Sequence, residues 1–275
     1  MTIPARTEDV RTNLPGGRGQ TFGVRAVAQG IYQASATPQT HVGDRLQLWG
    51  DRVFRYGHFV ADYTTQYVGG YLVAPDTSAN DLALLDDLVL SAGNYPSTAG
   101  MTKIEITASS ITKDRFKNGT LHIVDGAGEG YTYFIKRNSA TGSKLDTNDL
   151  DLAAATSFVL ELYDGVIIAL VVSDTDIAIV GNIYENLIPA TTTDLCAVGV
   201  SMLAIDYSEE PYAWVQTWGP ATVLNNGGLS KGELMALNDA GSADLESAYT
   251  TPRVGYCLAT AVTAEQAPVY LKMAP

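Results

Sequence analysis

The chain has 275 residues and pits 17 Lys and Arg against 30 Asp and Glu, a formal net charge of −13. That balance argues against coating nucleic acid, which needs clustered cations, and against an anionic membrane surface. The length accommodates one large domain or two to three small ones.

Residues 1–20 contain Pro4, Pro15, Gly16, Gly17 and Gly19 and show no apolar period, which reads as an extended arm outside any core. The arm carries Arg6, Arg11 and Arg18, opposite in sign to the acidic body. Two readings stand: a tether lying along a neighbouring subunit, or a frayed terminus. The start has no apolar stretch of signal-peptide length, so synthesis in a reducing cytoplasm is expected, with Cys196 and Cys257 as small buried residues.

Beyond the arm, apolar residues recur in steps of two. Residues 45–49, 53–56, 103–107, 121–124, 132–135 and 212–216 read as short strands, each bounded by Gly, Pro, Asn or Asp. Leu82, Leu85, Leu88 and Val89 stand at helical spacing, which predicts one short helix within 81–90. The expected fold class is all-β: several small antiparallel sandwich or barrel modules of β-hairpins, an extended N-terminal arm, and at most one or two short helices. The expected modules are 21–95, 96–190 and 191–275.

The stretch 124–136, VDGAGEGYTYFIK, has the look of a phosphate-cradling loop. A nucleotide fingerprint needs a helix directly after its glycines, because the helix N-terminus holds the phosphate. Here an aromatic strand pattern follows, so the glycines are expected to turn a hairpin.

Two repeats recur. A Gly-x-Leu phrase ending in Asp begins at Gly70, Gly119 and Gly232. A longer one has an offset of 56 residues, aligning Val198-Gly199 with Val254-Gly255 and Trp214-Val215 with Tyr270-Leu271. Strand alternation places Val215 and Leu271 on one face and Trp214, Gln216, Tyr270 and Lys272 on the other. The first face reads as core. The second reads either as a protein-contact surface, with Trp214, Gln216, Trp218 and Tyr270 as candidates, or as a partly solvated sheet face.

Little in the sequence suggests catalysis. His41, His58 and His122 sit in no metal spacing and near no nucleophile motif. Asp86-Asp87 and Glu209-Glu210 are adjacent pairs whose members point apart on a strand, unlike a glycosidase couple. Asp125, Glu129 and Asp164 lack a calcium-loop pattern. No catalytic, cofactor-binding or metal residue is expected.

Three blocks carry a resemblance: 50–56 (GDRVFRY), 119–135 (GTLHIVDGAGEGYTYFI) and 212–220 (YAWVQTWGP). In that order they resemble virion structural proteins of marine tailed bacteriophages. The closing segment, 232–237 followed by 254–259 (VGYCLA), is similar to the ending of phage head-decoration proteins, which carry a small barrel-like β module, the β-tulip. The resemblance implies a non-enzymatic capsid decoration or cement protein. It would be a homotrimer on the capsid exterior that fastens neighbouring major capsid subunits, with no nucleic acid or membrane partner. A head-fibre or tail-associated adhesin is the alternative, its 15 tyrosines and three tryptophans being suited to stacking on sugars.

Overall fold

A computed structural model describes residues 29–60, 69–76, 85–91, 93–95, 98–172, 174–190, 197–238, 241–245 and 253–274. Among these, every regular element is a β-strand. The first part of the chain supplies β1 (Ala34–Ser35), β2 (Arg45–Leu48), β3 (Arg52–His58) and β4 (Leu72–Pro75). The middle supplies β5 (Leu85–Val89), β6 (Lys103–Thr107), β7 (Thr120–Asp125), β8 (Thr132–Asn138), β9 (Ser157–Leu162) and β10 (Asp176–Val180). The last part supplies β11 (Leu187–Pro189), β12 (Gly199–Ser201), β13 (Tyr212–Leu224), β14 (Leu234–Leu237), β15 (Ala243–Leu245), β16 (Arg253–Cys257) and β17 (Gln266–Lys272).

These strands make two antiparallel sheets. The middle strands form a six-stranded sheet in the order β5-β10-β7-β8-β9-β6. An antiparallel bridge between Leu90 and Ile106 brings its two edges together, giving a nearly closed barrel. Alternate residues point inward, so Leu121, Ile123, Ile135, Leu160 and Ile179 meet in a sealed core. Each such side chain contributes about 1.5–3 kcal/mol by leaving water.

The remaining strands form an 11-stranded half-barrel, β11-β4-β12-β13-β17-β16-β14-β15, with β3 and β1 paired to β13 and β2 paired to β3. The barrel is therefore an insertion between β4 and β11. The expected modules 21–95 and 191–275 are not separate bodies, since β1–β4 of the first share one sheet with the strands of the second, while β5 joins the barrel and β11, within 96–190, joins the half-barrel. The long strand β13 is the hub. It pairs with β3 through Tyr212–Gln216, shifts register before Trp218, and then pairs with β17 from Trp218 to Leu224.

The helix expected within 81–90 gives way to a strand over 85–89, residues 81–84 lying outside the described set. The register explains the misleading spacing. Leu88 pairs with Ile177 and Leu85 with Ile179, so three residues on β5 span two on β10. A bulge residue, not a helical turn, separates the two leucines.

The glycine-rich stretch is a hairpin turn between β7 and β8, which pair Leu121 with Tyr133 and His122 with Thr132. Gly126 (φ 75°) needs both freedoms of glycine, because a Cβ there would lie 1.9 Å from the Asp174 carbonyl oxygen.

Candidate functional site: an aromatic face on the half-barrel

The two halves of β13 treat their even-numbered residues differently. In the first half, Trp214 is 2% exposed and Gln216 0%. Trp214 packs edge-on against Tyr56, its ring partner across β3, with centroids 5.0 Å apart. Its indole N–H donates to the Gln29 carbonyl at 3.1 Å. Phe54, Leu46 and Leu48 complete this small core. Neither Trp214 nor Gln216 therefore offers a contact surface, contrary to that reading of the sequence: Phe54 and Tyr56 of the neighbouring β3 pack beside Trp214, and Gln29 and Ile31 close over it.

Gln216 has a bracing role instead. Its side-chain oxygen accepts from Arg52 Nε (3.2 Å) and Nη2 (3.0 Å), and its amide donates to the Trp218 and Pro220 carbonyls at 3.0 and 2.8 Å. All of this lies at the register shift, so Gln216 fixes the backbone that carries the next residues outward.

Past the shift, the even side faces solvent. Trp218 stands edge-on to Tyr270, with centroids 6.1 Å apart, and Tyr270 stacks on Tyr256 at 5.4 Å and 11°. Lys272 Nζ sits 5.1 Å over the Tyr256 ring. Strand register makes the row continuous, since Pro220 pairs with Tyr270, Tyr270 with Tyr256, and Tyr256 with Leu234. Four strands thus contribute to one continuous, largely aromatic row.

Asp51, in the β2–β3 turn, locks the row. Its Oδ2 accepts from the Trp218 indole at 3.1 Å and from the Tyr270 hydroxyl. The hydrogen bond from Tyr270, then that from Trp218, holds the Asp51 carboxyl below its ordinary value, and the same bond to Asp51 pushes the Tyr270 hydroxyl up. Gly219 (φ 86°) permits the approach, because a Cβ there would lie 2.3 Å from the Asp51 carbonyl oxygen. Beside this turn, Trp49 is 82% exposed.

Comparison of the chain with protein-family models, curated proteins and solved structures returns no match.

Of the residues singled out from sequence, the fold brings Trp218 and Tyr270 together, while Arg6, Arg11 and Arg18 lie outside the described residues. Asp51 and Tyr256 were missed as site residues. The alternation through Arg253–Cys257 signals Tyr256, which falls on the same side as Tyr270; nothing local signals Asp51, whose partners are more than 160 residues away.

Several titratable groups elsewhere serve structure. His58 Nδ1 meets Glu185 Oε1 at 2.5 Å, and His122 bonds Thr120 and Thr132. On the outer barrel wall, Glu161 is drawn up by burial, but bonds from Lys136 and Arg137 outweigh this and hold it low. Cys257 is a buried free thiol, and Cys196 lies outside the described residues. Among the described residues no three His, Cys, Asp or Glu side chains converge as metal ligands. A cleft of about 450 Å³ lies between the half-barrel and the barrel, lined by His41, Asp44, Asn118, Tyr163, Asn182 and Tyr184.

Proposed function

We propose that this chain is a non-enzymatic structural protein of a phage virion, a decoration or cement protein that docks on the outside of the head and fastens major capsid subunits as a homotrimer. The observation that carries the reading is the locked row of Trp218, Tyr270 and Tyr256. Rigid aromatics held on a sheet lose little conformational freedom on burial, and such residues dominate protein-contact energetics. A row spread across four strands suits a protein face better than a small ligand, which needs a concavity. The acidic balance keeps the chain off nucleic acid and so favours the outside of a shell. The resemblance of 50–56, 119–135 and 212–220 to phage virion proteins points the same way.

Co-sedimentation with phage heads tests it. Trp218→Ala combined with Tyr256→Ala should weaken binding at least ~100-fold, as loss of two interface anchors does. Unchanged occupancy of the heads by that variant would overturn the assignment.

The cleft supports a second reading, a head-fibre or tail-associated adhesin. There the exposed Tyr163 donates its hydroxyl to Asn118 Oδ1 at 3.2 Å, placing an aromatic ring beside amide, imidazole and carboxylate groups suited to sugar hydroxyls. A glycan array probed with the full chain favours this reading if specific binding is found and is lost on Tyr163→Ala.

A further inference from the structure

The barrel enters from the half-barrel at the start of β5 and returns to it from the end of β10. Since these two strands are antiparallel, the start of β10, the end of β5 and the end of β7 all lie at the far end of the barrel. That distal end is closed by the loop after β9. Val166 and Leu170 point inward and join the barrel core, while Ile167, Ile168, Val171 and Val172 face solvent, Ile167 at 61% exposure. The loop is clamped in place: the Ile167 amide donates to the Tyr133 hydroxyl at 3.1 Å, and Thr175 Oγ1 accepts from the Val171 amide at 3.0 Å while donating to the Ala127 carbonyl at 3.1 Å. Exposed Val124, in the adjoining strand, extends the patch.

Four exposed β-branched side chains on a pinned loop form a preorganised apolar knob, of the kind that marks an interaction site. Its rim is predominantly acidic; Lys103, at the end of the 98–103 segment that bonds to Val166, is already paired with Asp149 and Asp146. The segments 123–135 and 162–176 contain Asp125, Glu129, Asp164, Asp174 and Asp176, with no Lys or Arg. This rim repels anionic lipid and equally the strongly acidic body of a second copy. It attracts an apolar segment studded with cations.

The chain carries one. Residues 1–28 hold Arg6, Arg11, Arg18 and Arg25 against Glu8 and Asp9 alone, interleaved with Val10, Leu14, Phe22 and Val24. Fully extended, a segment of that length reaches roughly 90 Å. Its junction is fixed on the half-barrel, where Tyr56 donates to Gln29 Oε1 at 2.6 Å and Gln29 donates to the Tyr212 carbonyl at 2.9 Å. The junction lies on the half-barrel and the knob at the far end of the barrel, so a path to the chain's own knob spans the length of the barrel. A neighbour whose junction lies beside the knob needs no such path.

We infer that the distal knob of the barrel is the docking site for the basic N-terminal segment of a second copy of this chain. The contact joins unlike surfaces, so copies linked this way close into a ring or propagate. It requires no phage head, so loss of head binding leaves it standing, whereas it shares with the function proposed above the premise that copies of the chain associate.

Sedimentation velocity of the purified full chain, with mixing of variants, decides it. The wild type should self-associate, more weakly at 0.5 M than at 0.05 M salt. Ile167→Asp with Val171→Asp breaks the knob, and Arg6→Glu with Arg11→Glu and Arg18→Glu reverses the arm. Each variant alone should be monomeric, with its association constant lowered at least tenfold. Mixed, they retain one good arm and one good knob, and should form a 1:1 heterodimer. A monomeric wild type, variants that still self-associate, or an inert mixture would each overturn the inference. Circular dichroism checks folding. Should the knob variant not fold, an arm variant that associates as the wild type does overturns the inference by itself.

Discussion

Asp51 and Tyr270, 219 residues apart, share a hydrogen bond on the solvent side of the half-barrel. This bond, with that from Trp218, sets the geometry of the aromatic row, and it leaves a pH signature at both ends of the scale. Asp51 is lowered from 3.8, so its contribution to stability is complete above that value and is lost as pH falls through the lowered one. Tyr270 is raised from 10.0, so its contribution is complete below that value and is lost as pH rises through the raised one. Tyr270→Phe should return the Asp51 carboxyl toward its ordinary value, read by carboxylate NMR titration. No change in the Asp51 midpoint would mean that the pair is not formed in solution.

The two tryptophans of β13 should separate stability from binding. Trp214→Ala empties a buried aromatic core and should cost about 3–5 kcal/mol in urea unfolding. Trp218→Ala, at a partly exposed position, should cost about 1 kcal/mol or less. Equal losses would place both rings in one core, against the burial seen here.

Gln216→Ala removes the brace at the register shift. It removes the part-buried bonds to the Trp218 and Pro220 carbonyls and to the Arg52 guanidinium, at about 0.5–1.5 kcal/mol for each bond lost. Hydrogen exchange should accelerate in β13 on both sides of residue 216. Exchange confined to the chain ends would show that the brace carries no energy.

The glycines of the β7–β8 turn should differ. Gly130→Ala meets no atom within 4 Å and should cost only the left-handed backbone penalty, about 1–2 kcal/mol. Gly126→Ala should cost more, because the Asp174 backbone must also move. Equal melting-temperature shifts would contradict the close approach.

Much of the fold was legible in the sequence, and particular residues show where legibility stops. Lys103–Thr107 was read with the bounds it has, and the Gly-x-Leu phrase opens β4, β7 and β14, because alternation and turn glycines are local signals. The insertion was not legible. Pairings such as Val73 with Gly199 join residues more than 120 apart, and neither segment names its partner. The spacing of Leu85 and Leu88 misled because a bulge imitates a helical step. The burial of Trp214 depends on Tyr56 and Gln29 arriving from elsewhere, whereas Trp218 lies beyond their cover on the same strand.

A cryo-electron density map of phage heads assembled with this chain tests the central claim most directly. The account predicts a two-lobed body on the outer shell, with Trp218, Tyr256 and Tyr270 buried against a major capsid subunit. Heads with no such density, or a body whose aromatic row faces solvent, would contradict it.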